Sequence, residues 1–233
     1  QPGRGQLAAG LDELRVSLDA ADREGFKLVR GKDMFDRIVR NVRAFTQAQS
    51  AAGAALPRVS LWLTGLKETM DQLEDFVRLA HDMGVPEVYL QRLVFFAQGQ
   101  GLAREQSALF ERLDGGEAAR LEAAKQLAET LGIRFDASGA TEPGTSLKHA
   151  AEQTWSQCRR PWTVMYFTAH GRALPCCIAP FSQPGYEHYT LGDATVQTLR
   201  DIWNGPAYAQ FRAALLSDQP PSSCAGCGLR WSL

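Results

Sequence analysis

The chain has 233 residues, 45% of them hydrophobic and 22% charged, so it carries enough apolar material for a substantial core and is not a disordered chain. Its 25 basic and 26 acidic residues leave a formal net charge of −1, which gives no concentrated positive field of the kind a nucleic acid or an anionic membrane would need. The longest apolar run, Val85 to Ala97, is broken by Pro86, Glu87, Gln91 and Arg92 and falls short of the ~20 residues of a membrane-spanning helix.

The opening Gln-Pro-Gly-Arg-Gly-Gln has neither an initiator Met nor the basic, apolar and small-residue order of a signal peptide. It reads as a chain cut from a longer, cytoplasmic one. Glu13 to Ser17 is the first expected strand. Phe35, Ile38, Val39, Val42 and Phe45 then fall on one face of a helix that must be buried against a sheet. Arg58 to Thr64 reads as the second strand. Leu73, Phe76, Val77, Ala80 and Met83 repeat the helical spacing up to Gly84, and Glu87 to Val94 reads as the third strand. Right-handed crossovers would set these parallel strands side by side with both helices on one face, as in a barrel wall. Three parallel strands cannot close a barrel, and the edge ahead of Glu13 needs cover, so further strands are expected upstream.

Between Gly99 and Pro143 the pattern loosens, although Leu121, Ala124, Ala128 and Leu131 mark a helix leading into a short strand-like stretch, Ile133 to Asp136. The loop from Ala137 to Ser146 is the expected boundary, dividing residues 1–145 from residues 146–233. Beyond it, Thr163 to Ala169 and Arg172 to Ile178 flank His170-Gly171 and read as a hairpin. Thr195 to Trp203 and Pro206 to Leu216 read as two helices separated by Asn204-Gly205. Trp162 and Trp203 are expected in the core of this second region, and His170 at the hairpin tip is expected to be exposed.

All five cysteines lie in the second region: Cys158, Cys176, Cys177, Cys224 and Cys227. Cys224-Ala-Gly-Cys227 is a C-x-x-C pair whose thiolates can face one metal centre. It sits in a Pro/Ser/Gly-rich tail rather than at the strand-to-helix junction a redox dithiol prefers. Four soft ligands from two distant loops suit either tetrahedral zinc or an iron-sulfur cluster, and ligand count does not separate the two; buried cysteines without any ligand role are the plain alternative. In a strand, adjacent Cys176 and Cys177 must point to opposite faces, so only one of them can join the site.

Read together, Cys158-Arg-Arg-Pro-Trp162, Gly171 with Pro175-Cys176-Cys177, Leu191-Gly192-Asp193, Leu199-Arg-Asp-Ile-Trp203-Asn-Gly, Tyr208 with Phe211-Arg212, and Cys224-x-x-Cys227 resemble the SPASM/twitch auxiliary-cluster domain of radical SAM enzymes. Gly10 to Asp19, Val29-Arg30-Gly31 and the Phe35-led helix resemble the middle of the radical SAM barrel. Leu79-Ala80 with Met83-Gly84-Val85 resembles a later strand-helix segment. The resemblance implies the C-terminal part of a partial (β/α)6, TIM-like barrel followed by a small domain of a hairpin and helices, in which Cys158, Cys176, Cys224 and Cys227 hold one auxiliary [4Fe-4S] cluster. It also implies that Ser17 and Arg30 contact S-adenosylmethionine and that the backbone at Leu93 packs its adenine.

The family's Cys-x3-Cys-x2-Cys motif, which binds the cluster that cleaves S-adenosylmethionine, is absent from these residues. The chain alone is therefore expected to be inactive. The resemblance implies that the full-length parent, with that second [4Fe-4S] cluster, generates a 5′-deoxyadenosyl radical for hydrogen abstraction. It would act as an oxidoreductase or maturase on a ribosomal peptide, a sulfatase active-site residue or another small molecule, with a flavodoxin or ferredoxin as reductant. The catalytic residue itself is not identifiable. A non-catalytic four-cysteine zinc module and a degenerate homologue stand as alternatives.

Overall fold

The computed structural model describes residues 9–93, 107–109, 113–138, 143–146, 155, 158–181, 186–225 and 227. They fall in two compact units, one of residues 1–92 and 109–148 and the other of residues 93–108 and 149–233. The opening Gln1 to Gln6, Val94 and most of the loosely patterned stretch that follows it lie outside the described residues.

In the first unit, β1 (Glu13–Ser17), β2 (Arg58–Gly65), β3 (Glu87–Arg92) and β4 (Arg134–Ala137) form one sheet in sequence order, every pair parallel. Helices α1 (Arg23–Arg30), α2 (Phe35–Ala51), α3 (Leu73–Asp82) and α4 (Gly115–Thr130) occupy the connections, and the short α5 (Pro143–Ser146) follows β4. The helical spacing read from the sequence does its expected work: Phe35, Val39, Val42 and Phe45 of α2 and Leu73, Phe76, Val77 and Ala80 of α3 are buried. So are Leu121, Ala124 and Ala128 of α4. All belong to one apolar cluster with Val59, Leu61 and Leu63, Val88 and Leu90, and Phe135 and Ala137. The alternate residues of the same strands, Arg15 and Ser17, Ser60 and Trp62, Tyr89, and Asp136, line the opposite, polar face. This is an α/β sheet of the partial-barrel class, apolar towards its helices and polar on the other side.

On that polar face the Trp62 and Tyr89 rings stack at 4.0 Å, and the Arg15 guanidinium lies 4.7 Å from the centre of the Trp62 ring. At the end of β2 the backbone must pass close to its neighbours. A Cβ on Gly65 would come 2.9 Å from Leu109 Cδ1 and 3.1 Å from Leu90 Cδ1, so a side chain there would push into the core.

Several boundaries differ from the sequence expectation. The α1 helix, capped by Asp22 accepting from the Gly25 N–H, was not anticipated, because only Phe26 and Gly25 of its eight residues are buried and no apolar stripe announces it. The expected loop from Ala137 to Ser146 contains α5, and the third strand ends at Arg92 rather than Val94.

The second unit contains the antiparallel sheet β5 (Tyr166–Phe167), β6 (Arg172–Leu174) and β7 (Gly192–Asp193), with α6 (Arg160–Thr163), α7 (Leu199–Asn204), α8 (Pro206–Leu215) and α9 (Ser222–Ala225). The hairpin is thus much shorter than read from the sequence. Thr163 belongs to a helix, and Pro175, Cys176 and Cys177 lie beyond the last strand residue. Alternation along a strand therefore does not set which of Cys176 and Cys177 faces a centre, because both lie past the end of β6. Gly171 turns the hairpin at φ 79°, in the left-handed region that favours glycine, and a Cβ there would meet Thr195 Cγ2 at 2.8 Å. Ala173, Ile202 and Tyr208 form the buried centre, with Trp203 packed against it. Trp162, expected in that core, is only half-buried and is not part of the cluster.

Candidate cofactor sites

The parallel strands bring their C-terminal ends to one edge of the sheet, where the ligands of such sheets collect. Ser17 closes β1 there and is exposed; Leu93, half-buried, follows β3 directly. Past Ser17 the chain stays tied to β2, since the Leu18 N–H donates to the Trp62 carbonyl at 3.0 Å. It then turns through Asp19, which takes a left-handed conformation at φ 56°. The Asp19 side chain is buried; its Oδ1 accepts the Thr64 N–H at 2.7 Å and its Oδ2 pairs with the Arg30 guanidinium. Arg30, at the last position of α1, is 41% exposed, so one edge of the guanidinium is fixed by Asp19 while the rest can meet a ligand.

Asp19 is the residue the sequence reading undervalued. The structure uses it to join the ends of β1 and β2 and to hold Arg30. The N-cap of α1 falls instead to Asp22. An acidic residue just past a strand end is the only signal in the sequence, and it does not reveal the left-handed turn that aims the carboxylate inward.

In the second unit, Cys158 precedes α6, Cys176 and Cys177 follow β6, Cys224 lies in α9 and Cys227 just beyond it; all five are half-buried free thiols. Local packing positions these segments. Tyr208, fully buried, donates its hydroxyl to the Leu174 carbonyl at 3.2 Å, two residues before Cys176. Arg212 donates from Nε to the Pro161 carbonyl and from Nη1 to the Trp203 carbonyl, both at 2.9 Å, which ties α6 to α7 and α8. The hydroxyls of Tyr189 and Ser222 meet at 2.8 Å and anchor α9.

Burial pushes the Cys158 thiol up; the N–H of Arg160 opposes that by donating to its sulfur. Cys176 is raised for the same reason, against N–H donors from Ile178 and Ala179. Cys224 is pushed up to about 12, first by burial and further by the nearby thiols of Cys176, Cys227 and Cys158. Cys158, Cys176 and Cys227 thus lie within electrostatic reach of Cys224. Cys177 is engaged differently: its sulfur accepts from Arg160 Nη1 at 3.0 Å.

Four thiols, three of them held up by burial, suit a metal centre that withdraws their protons. Among the described residues no three Cys, His, Asp or Glu side chains stand close enough to share one metal ion. A lone tetrahedral zinc, with Zn–S of about 2.3 Å, would require its sulfurs within about 3.8 Å of each other. An iron-sulfur cluster, with one cysteine on each iron, is the other centre that four thiols can hold. Among the described residues no helix is long and apolar enough to cross a membrane.

Comparison with known proteins points the same way. Residues 158–228 match the SPASM family, an iron-sulfur cluster-binding domain. A probable GTP 3′,8-cyclase of Saccharolobus islandicus is 34% identical over 85 residues, which is 36% of this chain and 26% of that protein. One from Sulfurisphaera tokodaii is 30% identical over 84 residues, 36% of this chain and 25% of its own length. The match thus spans about a quarter of these relatives. Among solved structures, Streptococcus suis SuiB superposes with a TM-score of 0.55 at 14% identity over 94% of this chain and 48% of SuiB. SuiB bound to its precursor peptide SuiA gives 0.53 at 16% identity, over 94% and 47%. SuiB bound to S-adenosylmethionine gives 0.51 at 17%, over 94% and 48%; at such identities the likeness is one of fold. Residues 158–228 thus match the SPASM iron-sulfur cluster-binding domain, and the chain shares its fold with SuiB.

Proposed function

We propose that Cys158, Cys176, Cys224 and Cys227 hold one auxiliary [4Fe-4S] cluster, and that Ser17, Arg30 and the backbone at Leu93 form part of an S-adenosylmethionine site at the C-terminal edge of the parallel sheet. The observation that supports the reading is that Cys158, Cys176 and Cys227 all act on Cys224 inside the segment that matches an iron-sulfur domain. When bound, such a cluster supplies one-electron chemistry. The residues of this chain bring it four thiolates, N–H donors to two of the sulfurs and a small packed core behind them. At the sheet edge, Asp19 fixes the orientation of Arg30, whose exposed side suits a carboxylate, and Ser17 offers an exposed hydroxyl at the end of β1.

The reaction of the full enzyme, hydrogen abstraction by a 5′-deoxyadenosyl radical, is assigned to a longer protein, because the five cysteines here contain no Cys-x3-Cys-x2-Cys motif. A peptide is the favoured substrate class, supported by the SuiB fold and its complex with a precursor peptide; a small-molecule substrate, a flavodoxin or ferredoxin as reductant and a cytoplasmic setting complete the proposal.

Anaerobic reconstitution tests the cluster. The expected product is brown, with about four iron and four sulfide per chain. Alanine at Cys158, Cys176, Cys224 or Cys227 should lower iron retention, whereas Cys177→Ala should keep it. A colourless chain that takes up one zinc and no iron would sink the proposal.

A further inference from the structure

The fifth cysteine and the arginine it touches have no place in the ligand set. Arg160 lies two residues after Cys158, half-buried, and its side chain reaches the sulfur of Cys177, the residue next to Cys176. One residue therefore touches Cys177 and bears electrostatically on Cys158 and Cys176. Its backbone N–H donates to the Cys158 sulfur, and its positive charge acts on both Cys158 and Cys176. Arg159 also bears on Cys158, but it is exposed, so solvent and salt screen its charge. The contact with Cys177 is what prevents the long Arg160 side chain from swinging out into the same solvent.

We propose that Arg160 is a positioning residue that raises the reduction potential of the auxiliary cluster, and that Cys177 serves by holding its guanidinium in place. The inference rests on the four-cysteine reading above. Its physical basis is charge. A [4Fe-4S] cluster on four thiolates is already anionic, and taking one electron from a donor such as dithionite adds another negative charge with no bond made or broken. A fixed cation that is partly shielded from water stabilises the reduced form more than the oxidised one. Charge and hydrogen bonds around the sulfurs are the levers by which a protein sets such a potential.

The test is a redox titration of the reconstituted 233-residue chain, read by the paramagnetic resonance signal of the reduced cluster, with iron and sulfide assayed on every sample. At a fixed solution potential, Arg160→Gln should lower the reduced-to-oxidised ratio by up to about tenfold, equivalent to 59 mV for a one-electron couple. Arg160→Lys should recover part of that loss, because it keeps the charge but not the planar fork. Cys177→Ala, which releases the guanidinium, should fall between the wild type and Arg160→Gln, and Arg159→Gln should change the ratio least.

An unchanged ratio in Arg160→Gln with a full complement of iron overturns the inference, as does a shift equal to that of Arg159→Gln. If Arg160→Gln fails to retain iron, Cys177→Ala decides: a lowered ratio supports the inference and an unchanged one overturns it. Loss of iron from both variants makes the contact purely structural and also overturns it. Failure of the wild type to assemble any cluster is a different result and counts against the ligand assignment instead.

Discussion

Among single residues, Asp19 carries the most consequence for its size. A buried carboxylate in a left-handed turn persists only because it satisfies two partners at once, the Thr64 N–H and the Arg30 guanidinium. Asp19→Ala would leave the Thr64 amide without its acceptor and put a methyl side chain where the left-handed backbone disfavours one. The expected cost is about 1–3 kcal/mol by chemical denaturation, together with weaker S-adenosylmethionine binding in the full enzyme as Arg30 loses its tether. Asp19→Asn should be milder, because asparagine tolerates the turn and can still accept from Thr64. Arg30→Ala should split these effects, weakening the cofactor's binding severalfold while changing stability little, since the guanidinium is half in solvent. Equal loss of stability in Arg30→Ala and Asp19→Ala would show that the pair is structural alone. For the proposed site, Ser17 and Arg30 are offered by the motif they resemble. Asp19 was passed over because nothing in residue type or spacing encodes a positive φ.

At the scale of elements, legibility followed length and periodicity. The first-unit strands β1 to β3 could be placed to within two residues, and helices α2 and α3 by their apolar faces, because β2, β3 and both helices bury apolar residues at fixed spacing and β1 packs Leu14 and Val16 against the same core. The second unit was read less well. Its strands have two or three residues, too few for alternation to show, and the apparent hairpin run was partly helix and partly the cysteine-bearing turn. The fourth helix illustrates a terminus set by local chemistry. Asp114 accepts the Glu117 N–H at 2.8 Å, Glu117 returns a bond to the Asp114 N–H at 3.0 Å, and Glu117 also pairs with Lys67 at 3.0 Å. The amide donors, Glu117 first and Gly116 after it, hold the Asp114 carboxyl below its usual range. A carboxyl depressed in the folded state contributes stability above its unfolded value, about 3.9, and that contribution is lost as pH falls through the lower folded value. Asp114→Ala should therefore lower the melting temperature of the chain at neutral pH, and the gap from the wild type should close progressively below about pH 4. A gap that stays constant down to about pH 2 would mean that the cap acts through packing and not through the ionised carboxylate.

Across the whole molecule the two units depend on different forces, which makes them separable by experiment. The first buries a continuous apolar layer between a four-stranded sheet and its helices, with no cysteine in it. The second surrounds a centre of Ala173, Ile202 and Tyr208, with strands of two or three residues and short helices. Its cysteines come from segments far apart in sequence, Cys158, Cys176 and the Cys224–Cys227 tail, so a cluster bound to all four would close long loops and its binding energy would be folding energy. Buried thiols add to the dependence, because their ordinary proton affinity is raised until a metal takes the proton's place. Stripping iron with a chelator under oxidising conditions should thus loosen the second unit and spare the first. Amide hydrogen exchange would read the outcome residue by residue: amides of α7, α8 and β6 should lose protection, while those of β2, β3 and α3 keep it. Equal loss in both units would show that they fold as one cooperative body, and no loss in either would show that packing around Tyr208 suffices without the cluster.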